Sequence, residues 1–118
     1  MGVHTMNKNY VLEGEYKNKK IIESQKELLV STEEYVLGRA LDKKEVSSYT
    51  VIDETNKDQY SIWKGALGVA LLGGFGAVVG IGGKKKKEYL IAVEWKDGEK
   101  SLICLDDETY KTFVRSMF

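Results

Sequence analysis

Tyr89-Leu90-Ile91-Ala92-Val93-Glu94-Trp95-Lys96-Asp97-Gly98-Glu99-Lys100-Ser101-Leu102-Ile103-Cys104-Leu105 is the stretch on which the fold turns. Tyr89, Ile91, Val93 and Trp95 recur at every second position, while Glu88 and Glu94 fall between them, the pattern of a strand with one buried face. Asp97-Gly98 follows, a strong hairpin signal of the kind in which both central residues take positive φ. The return strand places Leu102 and Cys104 on one face and Ile103 and Leu105 on the other. A long antiparallel hairpin is therefore expected.

Beyond the hairpin the period changes. Tyr110, Phe113, Val114 and Met117 fall on one stripe of a helix, with Asp106 or Asp107 as cap and Glu108 at its electropositive start. Lys111 and Arg115 lie off the stripe, so a C-terminal helix is expected to press Phe113 onto sheet residues such as Val93 and Leu102. Upstream, strand signals dominate. Glu27 to Val30 and Tyr35 to Gly38 flank Ser31-Thr32-Glu33-Glu34, which reads as a turn between two strands. Val46 to Asp53 is β-branched and aromatic, Asp53 to Asp58 is a polar turn, and Gln59 to Trp63 alternates Tyr60 and Ile62 with polar residues. The expected class is mainly β with a C-terminal helix, a single domain over 10–118 after a disordered N-terminus of residues 1–9.

The order of these elements carries a resemblance. Glu27-Leu28-Leu29-Val30-Ser31-Thr32-Glu33-Glu34-Tyr35-Val36-Leu37, then Glu45-Val46-Ser47-Ser48-Tyr49-Thr50-Val51, then Tyr89 to Trp95, the Asp97-Gly98 turn, Leu102 to Leu105 and a closing helix resembles the bacterial pleckstrin-homology-like and GRAM-like domains. The resemblance implies a strongly bent antiparallel sheet, its orthogonal halves forming a partly open barrel plugged by the helix. Phosphoinositide-binding members of that superfamily use basic residues in the first strand loops. Lys17, Lys19 and Lys20 lie near the beginning here but do not align on that site, and the activity is not carried over.

Residues 65 to 83 depart from the family pattern. These nineteen residues are uncharged and include eight Gly, with Lys64 before them and Lys84, Lys85, Lys86 and Lys87 after them. The run resembles the glycine-zipper segments of some bacterial proteins. Ala66, Ala70, Gly73 or Gly74, Ala77 and Gly80 recur near helical spacing, and Gly76 to Gly80 is a GxxxG unit, which suggests a self-packing face. Leu67, Leu71, Leu72, Phe75, Val78 and Val79 supply apolar bulk. One straight helix would be about 27 Å long, near the hydrocarbon thickness of a bilayer. A single crossing would nevertheless put two strands of one sheet on opposite sides of a membrane. A break at Gly73-Gly74 instead gives a helical hairpin whose ends return to the same face. Trp63 suits an interface, and the four lysines suit an anionic leaflet. A hairpin packed against its own barrel or against a second copy fits the same residues.

Composition and spacing exclude several other classes. Acidic and basic side chains balance at 18 each, so no global field favours nucleic acid. The single cysteine, Cys104, precludes an internal disulfide and cysteine-pair zinc sites. Met1 to Tyr16 lacks a secretory pattern, so a cytoplasmic protein, peripheral to the membrane if attached to one, is expected. A phosphate loop ending at Gly83-Lys84 would need Gly where Val78 stands and Ser or Thr where Lys85 stands. Gly74-Phe75-Gly76 followed by Gly80 lacks the βαβ surroundings of a dinucleotide site. His4, the one imidazole, falls in the expected disordered N-terminus, so Cys104 and the serines lack a base, and Glu33-Glu34 and Asp106-Asp107 read as turn and cap residues. The expected protein is a non-enzymatic binding module with no cofactor or metal. It attaches to an anionic membrane surface or to a protein, itself or another, and forms a homo-oligomer. The runner-up is a soluble binding or inhibitor protein, of a phage for example, that acts through a sheet edge or barrel face.

Overall fold

Two antiparallel sheets and a C-terminal helix, in a computed structural model, account for the described residues, which are 9–32, 38–53, 55–63, 78–81 and 84–118. At positions 57, 78–81 and 84–87 the backbone alone is described. The larger sheet has the order β1 (Tyr10–Gly14), β8 (Lys100–Asp106), β7 (Lys84–Trp95), β5 (Val46–Val51), with β6 (Val78–Ile81) paired to the first part of β7. The smaller sheet is β2 (Ile21–Ser24), β3 (Glu27–Val30), β4 (Arg39–Ala40). A Tyr10–Lys20 bridge and hydrogen bonds such as Ile21 N–H to the Asn9 carbonyl stitch the sheets together along one side, without closing a barrel.

The decisive hairpin forms as its alternation requires, with Glu88 opposite Asp106 and Glu94 opposite Lys100. Its turn differs in detail from the expected one. Gly98 alone takes a positive φ, of 94°, while Trp95 N–H bonds the Glu99 carbonyl and Gly98 N–H bonds the Trp95 carbonyl. This is a three-residue loop closed by a glycine bulge. The Asp97 carboxylate accepts the Glu99 N–H at 2.9 Å and so fixes the loop without needing positive φ itself.

Both faces of β7 and β8 are buried. One face contributes Ile91, Val93, Trp95, Ile103 and Leu105 to the main core, with Val11, Ile21, Leu28, Val30, Leu41, Val46 and Phe113. The other contributes Leu90 and Leu102 to a smaller cluster with Ile52 and Trp63. The helix α1 (Asp107–Ser116) closes the main core. Asp106 is its cap, accepting the Thr109 N–H at 2.8 Å, and Asp107 and Glu108 occupy the electropositive first turn. Phe113 is fully buried and meets Tyr49 edge-on at 4.8 Å. It packs in the cluster that holds Val93. Leu102, the other expected seat, points to the opposite face because it is one residue out of phase with Ile103 and Leu105.

Three expectations are corrected. Glu27 to Val30 is a strand, but its hairpin partner is the upstream β2, through a turn at Gln25 and Lys26 whose φ values are 52° and 68°. Downstream it pairs with Arg39–Ala40, while the Tyr35–Leu37 part of the expected strand lies outside the described residues. Gln59 to Trp63 is not a strand but part of a 3-10 segment, Lys57–Trp63, kinked at Tyr60. In such a helix residues three apart eclipse, which stacks the rings of Tyr60 and Trp63 at 6.0 Å and 3° and turns Ile62 outward, 80% exposed. Finally, Asn9 belongs to the folded part. Its amide exchanges hydrogen bonds with Asp106, and its carbonyl accepts from Ile21. Residues 1–8 lie outside the described residues.

Candidate functional site

The glycine–lysine region emerges from one end of the larger sheet. Glu88 is the first residue of β7 to pair with β8, and Ile91 the last toward that end to pair with β5. Lys84 to Lys87 pair with β6 alone, Val78 opposite Lys87 and Ile81 opposite Lys84, so β6 and the start of β7 form a two-stranded ribbon running past the body of the sheet. This corrects the expected helical leg. Val78, Val79 and Gly80 are extended, because β-branched residues flanking a tight connection to another strand favour pairing over a helix. The small-residue face that needed Gly76 and Gly80 one helical turn apart does not form at Gly80. Ala66, Leu67, Ala70, Leu71, Leu72, Gly73, Gly74, Phe75, Gly76 and Ala77 lie outside the described residues, so the expected hairpin falls there.

Trp63, expected at an interface, is 8% exposed and packs with Ile52, Leu90 and Leu102. Its indole is part of the core. The ribbon end also carries Tyr89, which donates to Asp107 at 3.0 Å and stacks on Tyr110 with centroids 4.0 Å apart. Burial is the leading reason that the Tyr89 phenol is held above its ordinary pKa, and the Asp107 carboxylate adds to it.

The opposite end of the sheet holds a cluster that sequence reasoning missed. Arg39 is 7% exposed and reaches Glu45 at 3.0 Å, Asp97 at 3.0 Å and the Tyr16 hydroxyl at 2.9 Å. Its guanidinium lies 4.4 Å from the centre of the Trp95 ring, and Tyr16 meets Trp95 edge-on. Burial works against the Arg39 charge, but the hydrogen bonds to Tyr16, Glu45 and Asp97 outweigh it and raise its pKa above the ordinary value. The Asp97 carboxyl is held below its ordinary range, first by the Glu99 N–H and then, against some desolvation, by Arg39. Below the guanidinium, Trp95 Nε1 donates to Ser101 Oγ at 2.8 Å, and that hydroxyl donates to the Glu15 carbonyl at 2.6 Å. The cluster ties β4 to the tip of the β7–β8 hairpin. Three acceptors, the Glu45 and Asp97 carboxylates and the Tyr16 hydroxyl, hold the guanidinium, so the cluster serves as a structural lock. The signal was an arginine directly after Gly38, but its partners lie as far as 58 residues away in sequence.

On the second face of the larger sheet, Ser48, Thr50, Ala92, Glu94 and Lys100 floor a groove of about 180 Å³ that is walled by Tyr60, Ile62 and Trp63. Cys104 sits on this face too, partly buried. Desolvation, reinforced by the Glu88 and Asp106 charges, pushes its thiol up to about 12. Among the described residues no group of three His, Cys, Asp or Glu side chains is placed to hold a metal, and no helix is long and apolar enough to cross a membrane. Comparison with family models, with curated proteins and with solved structures finds no match to this chain.

Proposed function

We propose that this chain is a non-enzymatic, peripherally attached binding module of pleckstrin-like architecture, held to an anionic membrane surface by its apolar segment 65–83 and by Lys84 to Lys87. A second protein chain is the competing occupant of the same segment. One observation carries the reading. Trp63, where the chain enters the segment, and Leu90, in the strand by which it has returned, share one buried cluster. Departure and return are thus pinned to one sheet, and the ribbon of β6 and β7 projects from that sheet's end. A segment so anchored enters a single leaflet without pulling the strands apart. Each lysine close to anionic lipid adds about 1 kcal/mol of attraction.

Co-sedimentation of the full chain with phosphatidylserine-containing vesicles tests this. Binding is expected, with strong weakening by salt and by replacement of Lys84 to Lys87 with Ser. Leu71→Asp with Phe75→Asp is expected to abolish it, because a carboxylate in hydrocarbon costs about 3 kcal/mol. A wild type that ignores vesicles, but forms an oligomer that the Asp pair dissociates, would replace the membrane by a protein partner.

A further inference from the structure

We infer that two copies of this chain pair edge to edge through β5, with the two-fold axis at Tyr49, joining their larger sheets into one. This surface is separate from segment 65–83 and does not rest on the membrane reading.

Among the described residues β5 is the last strand of its sheet, with β7 on its inner side alone. Ile52 N–H bonds the Leu90 carbonyl at 2.8 Å, which sets the phase of the ladder. Counting back, Thr50 and Ser48 turn their backbone groups toward β7, and Val51 and Tyr49 turn theirs outward. Both ends of the outer edge are blunted. The Val51 carbonyl is taken by the Asn56 side-chain amide at 3.0 Å. At the other end the register slips between Val46 and Ser48, where the Ser47 hydroxyl bonds the Glu94 carbonyl. Tyr49 remains between these blocks, its N–H and C=O facing out with no partner among the described residues.

A lone peptide laid on so short an opening would gain little beyond one pair of hydrogen bonds. A second copy makes the same pair and adds matched side-chain pairs on either side of the axis. Antiparallel pairing about Tyr49 exchanges N–H···O=C bonds between the two Tyr49 residues and sets Ser48 opposite Thr50 of the partner subunit. It also aligns the two grooves on one face, each with Ile62 at its rim, 80% exposed. Val46-Ser47-Ser48-Tyr49-Thr50-Val51 has no charge, proline or glycine, so like meets like along the strand without repulsion, and none of the usual charged guards of an edge is present. The Tyr49 side chain points the other way, onto Phe113, and the pairing leaves the core undisturbed.

Sedimentation equilibrium of the full chain, without lipid and up to the highest soluble concentration, tests the pairing, and a monomer–dimer equilibrium is expected. Ser48→Lys with Thr50→Lys, both on exposed side chains, is expected to weaken the dimer by roughly tenfold or more at low salt, because like charges then face each other across the axis. The matching Ser48→Glu with Thr50→Glu variant is expected to behave the same alone, and mixing the two is expected to restore a heterodimer. Unchanged thermal melting of each variant shows that the fold is intact. The inference is overturned by a wild type that stays monomeric throughout. It is equally overturned by a dimer that survives the lysine pair, or by one that Leu71→Asp with Phe75→Asp dissociates while the lysine pair does not, which would assign association to segment 65–83.

Discussion

The two faces of the larger sheet are both apolar, yet they are buried in different ways. One is covered by α1 and the second sheet and holds Trp95, Phe113, Ile91, Ile103 and Leu105, each at 0% exposure. Among the described residues the other is covered by a 3-10 segment of seven residues and holds Ile52, Trp63, Leu90 and Leu102 as buried members. The difference teaches that alternation along a strand reports which residues share a face, not how deeply that face is covered. Depth depends on what the rest of the chain lays across it, and here the face with the shorter described cover is also the one that carries the groove.

The comparison breaks first at Phe113. Phe113→Ala removes a fully buried ring from the thick face and is expected to cost 3 to 5 kcal/mol, about enough to unfold a domain of this size. Lys111→Ala, which loses only a solvent-facing pair with Asp107, is expected to stay within about 0.5 kcal/mol in the same denaturant titration. Equal, small effects would mean that α1 is not docked.

A smaller loss is expected on the thin face. Trp63→Ala is expected to cost about 2 to 3 kcal/mol, less than Phe113→Ala, since the short 3-10 segment that carries it can collapse into the space left. Hydrogen exchange sharpens the contrast. The Ile52 amide, bonded to Leu90, is expected to lose protection in this variant while Trp95 and Ile103 keep theirs. Uniform loss across both faces would show a single cooperative core.

The smallest effect is electrostatic and confined to the locked end of the sheet. The folded-state pKa of Asp97 lies below its ordinary value of 3.8, so its contribution is present above that value and disappears as pH falls through it toward the folded pKa. Asp97→Asn keeps an acceptor for the Glu99 N–H but not the charge beside Arg39. The stability gap between wild type and this variant is therefore expected to narrow as pH drops from neutral to below 3.8, as read by urea midpoints across that range. A gap that stays constant would show that the carboxylate charge is not used.

Much of the thick face was legible in the sequence. Tyr89 to Trp95 alternate cleanly, Asp97-Gly98 marks the turn, and Asp106 precedes a stripe of helical period, so hairpin and helix follow from local signals. What escaped had no local signal. Gln25-Lys26 makes a two-residue turn with both φ values positive, a conformation usually announced by Asn-Gly. Tyr60 and Trp63 fit a strand poorly and a tight helix well, but five residues are too few for a period to declare itself. Arg39 finds its acids through tertiary contact, which no short window contains. Within the attachment region, the apolar length and the lysine run were visible, whereas strand pairing at Val78 to Ile81 depended on a partner strand four lysines long that charge alone disguised.

Cys104 turns the thin face into its own reporter. Burial, reinforced by the Glu88 and Asp106 charges, pushes its thiol up to about 12, so little of it is the reactive thiolate near neutral pH while that face is packed. Alkylation by a maleimide is then slow while the face stays packed. Because this is the chain's one sulfhydryl, its labelling rate reports loosening of the packing around β1, β7 and β8 at that point, with no reporter group to be engineered in.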